Sequence, residues 1–96
     1  MSAYVLVEIE VEDPDGYAEY RPLAAESLAK HGGRYLARGG PTEALEGKWY
    51  PRIVVLEFDS LEAAHAWYYS DEYQAAVALR HGSAKSRMIA VEGAAP

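Results

Sequence analysis

Two glycine pairs, Gly32-Gly33 and Gly39-Gly40, bracket the segment from Arg34 to Arg38 within the stretch HGGRYLARGGP, residues 31–41. Glycine reaches backbone conformations closed to other residues, and a proline directly after a glycine pair cannot extend a sheet ladder. The spacing predicts a helix ending at Gly32 or Gly33, a short strand, and a turn from Gly39 to Pro41. A strand carrying Arg34 and Arg38 between two such turns can also frame a pocket for an anion. It is not a phosphate loop, because neither GxGxxG nor GxxxxGK followed by Ser or Thr occurs.

The flanking sequence alternates between the two regular periods. Ala3, Val5, Val7, Ile9 and Val11 share one side of a strand, with Tyr4, Leu6, Glu8 and Glu10 on the other. Asp13-Pro14 offers an N-cap acceptor followed by proline at the first helical position. Tyr17, Tyr20, Ala24 and Leu28 then recur at helical steps, across a Pro22 that predicts a kink or a split. After the glycine-bracketed strand, Thr42 to Trp49 is a polar loop or hairpin arm closed by Pro51. Arg52 to Phe58 is a β-branched strand, with Val54, Leu56 and Phe58 facing away from Ile53, Val55 and Glu57. Ser60 caps a helix bearing Leu61, Ala64, Trp67 and Tyr68, and Ser70 caps a second helix, or a bent continuation, that runs to Arg80. His81-Gly82 ends it, Ser86 to Val91 supplies the last strand, and the tail after Gly93 is loose.

Strand, helix, strand, strand, helix, strand is the ferredoxin-like βαββαβ order of an α+β protein, with the helices on one face of an antiparallel sheet. A chain of 96 residues accommodates one such domain, spanning 1–96. The other sheet face carries Leu6, Ile53, Val55 and Ile89, an apolar patch that predicts a homodimer packed sheet to sheet.

Composition removes several function classes. The net charge of −6 speaks against nucleic acid or an anionic membrane as the partner. Without cysteine there is no disulfide framework, no thiolate nucleophile and no cysteine metal site. His31, His65 and His81 lack the spacing of a metal motif, so neither a metal nor another cofactor is expected. MSAYVLVEIEVED at the N-terminus has neither the basic start of a signal peptide nor a membrane-length apolar run, and a cytoplasmic protein is expected.

GGRYLARGGP, LEGKWYPRIVVLEF and AAHAWYYSDEYQAAVALR, taken together, resemble the domain-of-unknown-function 1330 family over nearly the whole chain. His31 and Asp71 depart from that pattern, standing where an aromatic residue and a proline are usual. The resemblance implies a dimeric α/β-barrel, in which two ferredoxin-like sheets close around a shared interior in small bacterial cytosolic homodimers. It implies no particular reaction. The wider fold group includes cofactor-free monooxygenases, muconolactone-type isomerases and haem enzymes, so the analogy points to a pocket without choosing a chemistry.

Strand parity places Glu8, Arg38 and Glu57 together on the face away from the helices. Two carboxylates held close there would divide into an acid and a base, with Arg38 holding an anionic group; the alternative is an ion network that sets dimer register. His31, just before the glycine pair, is either a pocket acid or base or a helix-terminal donor. Trp49, in a polar loop beside Glu46 and Arg52, lids a cleft or clamps a partner. Tyr68, clustered with Trp67, Tyr69 and Tyr73, either faces a flat ligand or packs the core. The catalytic candidates are thus Glu57, Glu8 and His31, and the ligand-binding candidates Arg38, Trp49 and Tyr68. They fit a small-molecule enzyme working without metal or thiol, a proton-transfer isomerase or a cofactor-free oxygenase, or else a non-catalytic binding or assembly module.

Overall fold

A computed structural model describes residues 1–95. Its elements, in chain order, are β1 (Ala3–Val11), α1 (Pro14–Lys30), β2 (Arg34–Arg38), β3 (Arg52–Phe58), α2 (Leu61–Tyr68), α3 (Asp71–Ser83) and β4 (Ala84–Glu92). The strands form one antiparallel sheet in the order β2-β3-β1-β4, the ferredoxin-like arrangement. The period-two pattern of β1 explains its central place. Val5, Val7 and Ile9 are buried beneath the helices, while Leu6 lies opposite Val55 on one neighbour and Ile89 on the other.

The helix-facing side of the sheet closes against Leu28 of α1, Trp67 of α2 and Tyr73 of α3. Phe58 packs on Trp67 with ring centroids 5.3 Å apart, and Trp67 on Tyr73 at 4.1 Å. Each fully buried apolar side chain of this size contributes about 1.5–3 kcal/mol. The indole N–H of Trp67 donates to Ser27 Oγ at 3.1 Å, and that hydroxyl donates to the Ala24 carbonyl at 2.8 Å, so the polar atoms between α1 and α2 are satisfied. Among the described residues, no helix is long and apolar enough to cross a membrane.

The first glycine pair closes α1 through backbone hydrogen bonds. Gly32 takes φ +71°, its N–H reaches the Ala29 carbonyl, and the Gly33 N–H reaches the Leu28 carbonyl at 3.0 Å. A Cβ on Gly33 would meet Phe58 Cε1 at 2.7 Å, so the chain passes there against the core. Ser60 and Ser70 cap α2 and α3 as expected, accepting from the amides of Ala63 and Tyr73.

Four local expectations change. Asp13 occupies the N-cap of α1 without a side-chain capping bond. Pro22 is accommodated inside a helix assigned continuously from Pro14 to Lys30. The helix α3 passes His81-Gly82 and ends at Ser83, because the Ser83 carbonyl accepts the amides of Glu12 and Asp13 at 2.8 and 2.9 Å; β4 consequently begins at Ala84. The fourth change bears on function. A bulge between Tyr35 and Ala37 shifts the β2 register, so Arg34 lies opposite Glu57 but Arg38 lies opposite Val54. One extra residue inverts side-chain parity, and Arg38 turns to the helix-facing side instead of joining Glu8 and Glu57.

Candidate functional site

The cleft that receives Arg38 lies between α1 and the β2-β3 side of the sheet. Tyr17, Tyr20 and Arg21 face it from one side of α1, at the three- and four-residue steps that bring helical residues together. From the sheet, Arg52 shares the parity of Val54 and Leu56, which keeps its stem against the core and its head at the rim. The cavity is about 40 Å³, with Val7, Ile9 and Leu56 among its apolar lining.

Its polar groups hold one another in place. Arg52 Nε donates to the Tyr17 hydroxyl at 3.1 Å, and the Arg38 guanidinium lies 4.2 Å from the centre of the Tyr35 ring. Burial pushes the Tyr35 hydroxyl above its usual range, with Arg38 partly opposing the shift, so the phenol is neutral. The second glycine pair acts here. Gly39 takes φ +72°, and a Cβ at that position would collide with Arg52 Nη1, so glycine leaves the space the guanidinium occupies.

Charge pairing separates this cleft from the rest of the surface. Arg34 is bound to Glu57 at 2.8 Å and lies 3.6 Å from Asp59, and Arg87 is bound to Glu8 at 2.9 and 2.5 Å. Among the described residues, no ion pair involves Arg21, Arg38 or Arg52. Among the described residues, no carboxylate lines the cleft. Three arginines thus line one partly apolar space with no ion-pair partner among the described residues, in a chain whose net charge is −6.

The other expected site residues lie elsewhere and do not converge. Glu8 and Glu57 share the open sheet face, but Glu8 is opposite Ile53 and Glu57 opposite Tyr4, which separates them by about 13 Å along β1. Each has its own arginine. His31 lies at the end of α1, its Nε2 3.6 Å from Glu72 of α3. The Glu72 carboxyl is held below its usual range, first by its own backbone amide and further by His31. Trp49 stands over an open trough of about 850 Å³ under the 40–51 loop, its indole N–H donating to the Glu46 carbonyl at 2.7 Å. Tyr68 borders a groove of about 460 Å³ between α2 and β4. Arg38, Trp49 and Tyr68 therefore occupy three separate concavities.

Arg52, Arg21, Tyr17 and Tyr20 are absent from the sequence-derived set, as is Arg80 of α3. Their signals were present. Arg52 shares the parity of an apolar strand face, and Arg80 follows Tyr73, Ala76 and Val77 on the buried side of its helix. Arginine on an otherwise apolar face is the pattern that marks both.

A ferredoxin-like α+β chain with a cationic, phenol-lined cleft under its first helix is the class that fold and geometry define. The chain belongs to the family described as Domain of unknown function (DUF1330), whose model matches residues 2–94. No curated protein matches it in sequence. Among solved structures, it is similar to a protein of unknown function from Rhodopseudomonas palustris, with a TM-score of 0.75 and 22% identity over 99% of this chain and 84% of the other. A dimeric ferredoxin-like protein of unknown function from Jannaschia sp. CCS1 superposes with a TM-score of 0.69 at 20% identity, covering 97% of this chain and 100% of that one. SnoaB, a cofactor-independent oxygenase from Streptomyces nogalater, does so with a TM-score of 0.70 at 9% identity, over 99% and 95% of the two chains. These likenesses establish the shared fold.

Proposed function

We propose that this chain binds a small organic carboxylate in the cleft between α1 and the sheet, as a homodimer packed through its open sheet face. The observation that carries this reading is the convergence of Arg21, Arg38 and Arg52, without a carboxylate partner, on an apolar floor. Guanidinium groups bind carboxylates through charge-assisted hydrogen bonds, and the enclosed space of about 40 Å³ over Val7, Ile9 and Leu56 admits the carboxylate head while the ligand's apolar body rests at the rim beside Tyr17 and Tyr35. The neighbouring phenols are further hydrogen-bond donors to the ligand's oxygens. The dimeric ferredoxin-like relative and the cofactor-independent oxygenase support, by fold analogy alone, a paired assembly and a site working without a cofactor. The separate pairing of Glu8 with Arg87 and Glu57 with Arg34 supports a structural role for both carboxylates.

Calorimetric titration with a series from acetate to benzoate, and with neutral benzamide, tests the reading. Benzoate should bind at least tenfold more tightly than benzamide, and Arg38→Ala or Arg52→Ala should each weaken it about tenfold, the scale of one charge-assisted hydrogen bond. Equal affinity for benzoate and benzamide, or no binding of any carboxylate, would overturn it.

A further inference from the structure

Arg80 is a cation enclosed in the protein. It is 3% exposed, its Nε has no hydrogen-bond partner, and among the described residues no carboxylate lies within ion-pair distance. Its Nη1 donates to the Tyr73 hydroxyl and, at 3.5 Å, toward the Tyr20 hydroxyl; its Nη2 lies 3.3 Å from His81 Nε2. The two phenols are 2.7 Å apart. Tyr73 is wholly buried, whereas Tyr20 lines the cleft.

Counting donors fixes the direction of this chain. Burial pushes the Tyr73 hydroxyl far above its usual range, so it keeps its proton. Arginine cannot accept a hydrogen bond, and the described residues offer the Tyr73 proton one acceptor, the Tyr20 oxygen. The reverse arrangement, Tyr20 donating to Tyr73, would strand a buried hydroxyl proton, which is unfavourable. Tyr73 therefore accepts from Arg80 and donates to Tyr20. The Tyr20 oxygen receives that bond and the longer approach of Arg80, and its own proton, without an acceptor among the described residues, is left for the cleft that the Tyr20 side chain lines. Successive donors in low dielectric polarise one another, and a cation at the head of the chain strengthens the last donor most.

We infer that Arg80 and Tyr73 are positioning residues that hold Tyr20 as a one-way hydrogen-bond donor to a carbonyl or carboxylate oxygen of the ligand in the cleft. The inference rests on the anion-binding reading for the identity of the ligand but not for the direction of the chain. It divides the labour of the site. Arg38 and Arg52 at the rim meet the ligand's fixed charge, and Tyr20, further along α1, meets a further oxygen of the ligand.

The test begins without ligand, by NMR of protein carrying tyrosine labelled at ring carbons. A solvent-protected hydroxyl proton should correlate with the Tyr73 ring and disappear in Tyr73→Phe, while the Tyr20 hydroxyl proton exchanges with water faster than that of Tyr73. Assignment of the protected bridging proton to Tyr20 would overturn the inference. With benzoate, Tyr20→Phe should weaken binding about tenfold, as for one lost hydrogen bond, and Tyr73→Phe should weaken it less, because Tyr20 keeps its proton and loses only the polarising partner. Benzoate binding that depends on Arg38 and Arg52 but is unchanged in Tyr20→Phe would sink this inference and leave the anion site standing. If no carboxylate binds the wild type, the anion-site reading falls, and the ligand-free proton assignment decides the direction of the chain on its own.

Discussion

At Gly39 two demands coincide, a left-handed backbone and an empty space filled by the Arg52 guanidinium. Gly39→Ala should cost about 1 kcal/mol or more from the backbone alone and should also displace Arg52, lowering both the denaturation midpoint and the affinity for benzoate. Gly40→Ala is the internal control: its φ is not in the left-handed region and no atom lies within 4 Å of an added Cβ, so both measurements should stay near wild type. The Glu72 carboxyl carries a pH dependence of known sign. Its pKa is depressed in the folded protein by its own amide and by His31, so its contribution is present above the unfolded carboxylate value, about 4.3, and is lost as pH falls through the folded value. Urea denaturation of wild type and Glu72→Gln should accordingly differ at neutral pH and converge in acid.

At the level of the element, β2 decides which face an arginine serves. Its bulge at Tyr35 to Ala37 sends Arg34 to Glu57 on the open face and Arg38 to the cleft. Deleting Leu36 should restore plain alternation with Arg38 still opposite Val54, so Arg38 keeps the cleft side and benzoate binding persists while the chain still folds, as calorimetry and circular dichroism would report. The same bulge explains why part of the site was illegible in the sequence. β1 and β3 keep a strict period of two, and their faces could be assigned from Val5, Val7, Val54 and Leu56 alone. A bulge leaves no such pattern, so Arg38 was assigned to the wrong side and the set of Glu8, Arg38 and Glu57 followed from that. The helix ends show a similar division. Ser60, Ser70 and the Gly32 turn are local devices and could be read, whereas the extension of α3 through Gly82 depends on amides from Glu12 and Asp13, residues remote in sequence. Tyr20 was legible only as a core position, since its hydroxyl acquires meaning through Tyr73 and Arg80 on another helix.

For the whole molecule, the helices cover one side of the sheet and leave Leu6, Ile89 and Val91 at 41%, 66% and 50% exposure on the other. Covering ~800 Å² per subunit, about half of it apolar, at ~25 cal/mol per Å² contributes on the order of ten kcal/mol per subunit before association entropy is subtracted. Light scattering at micromolar concentration should give about twice the 10.6 kDa chain mass. Val55→Asp should shift the protein toward monomer, because it places symmetry-related charges in that contact. The matching control is Ala78→Asp on the exposed side of α3, which should leave the mass at that of the pair.

The chain has two tryptophans, Trp67 at 2% exposure in the core and Trp49 at 60% on the 40–51 loop. Their placement gives the protein a built-in optical contrast. Collisional quenching by acrylamide should extinguish the red-shifted emission of Trp49 and leave the emission of Trp67, 4.1 Å from the Tyr73 ring centre, almost intact. The Trp49 trough borders Ile53, a residue of the open sheet face, so a second subunit seated on that face would shield one indole and not the other. A quencher titration repeated across protein concentrations would then follow assembly without a label, as an accessible emission fraction that shrinks as subunits pair.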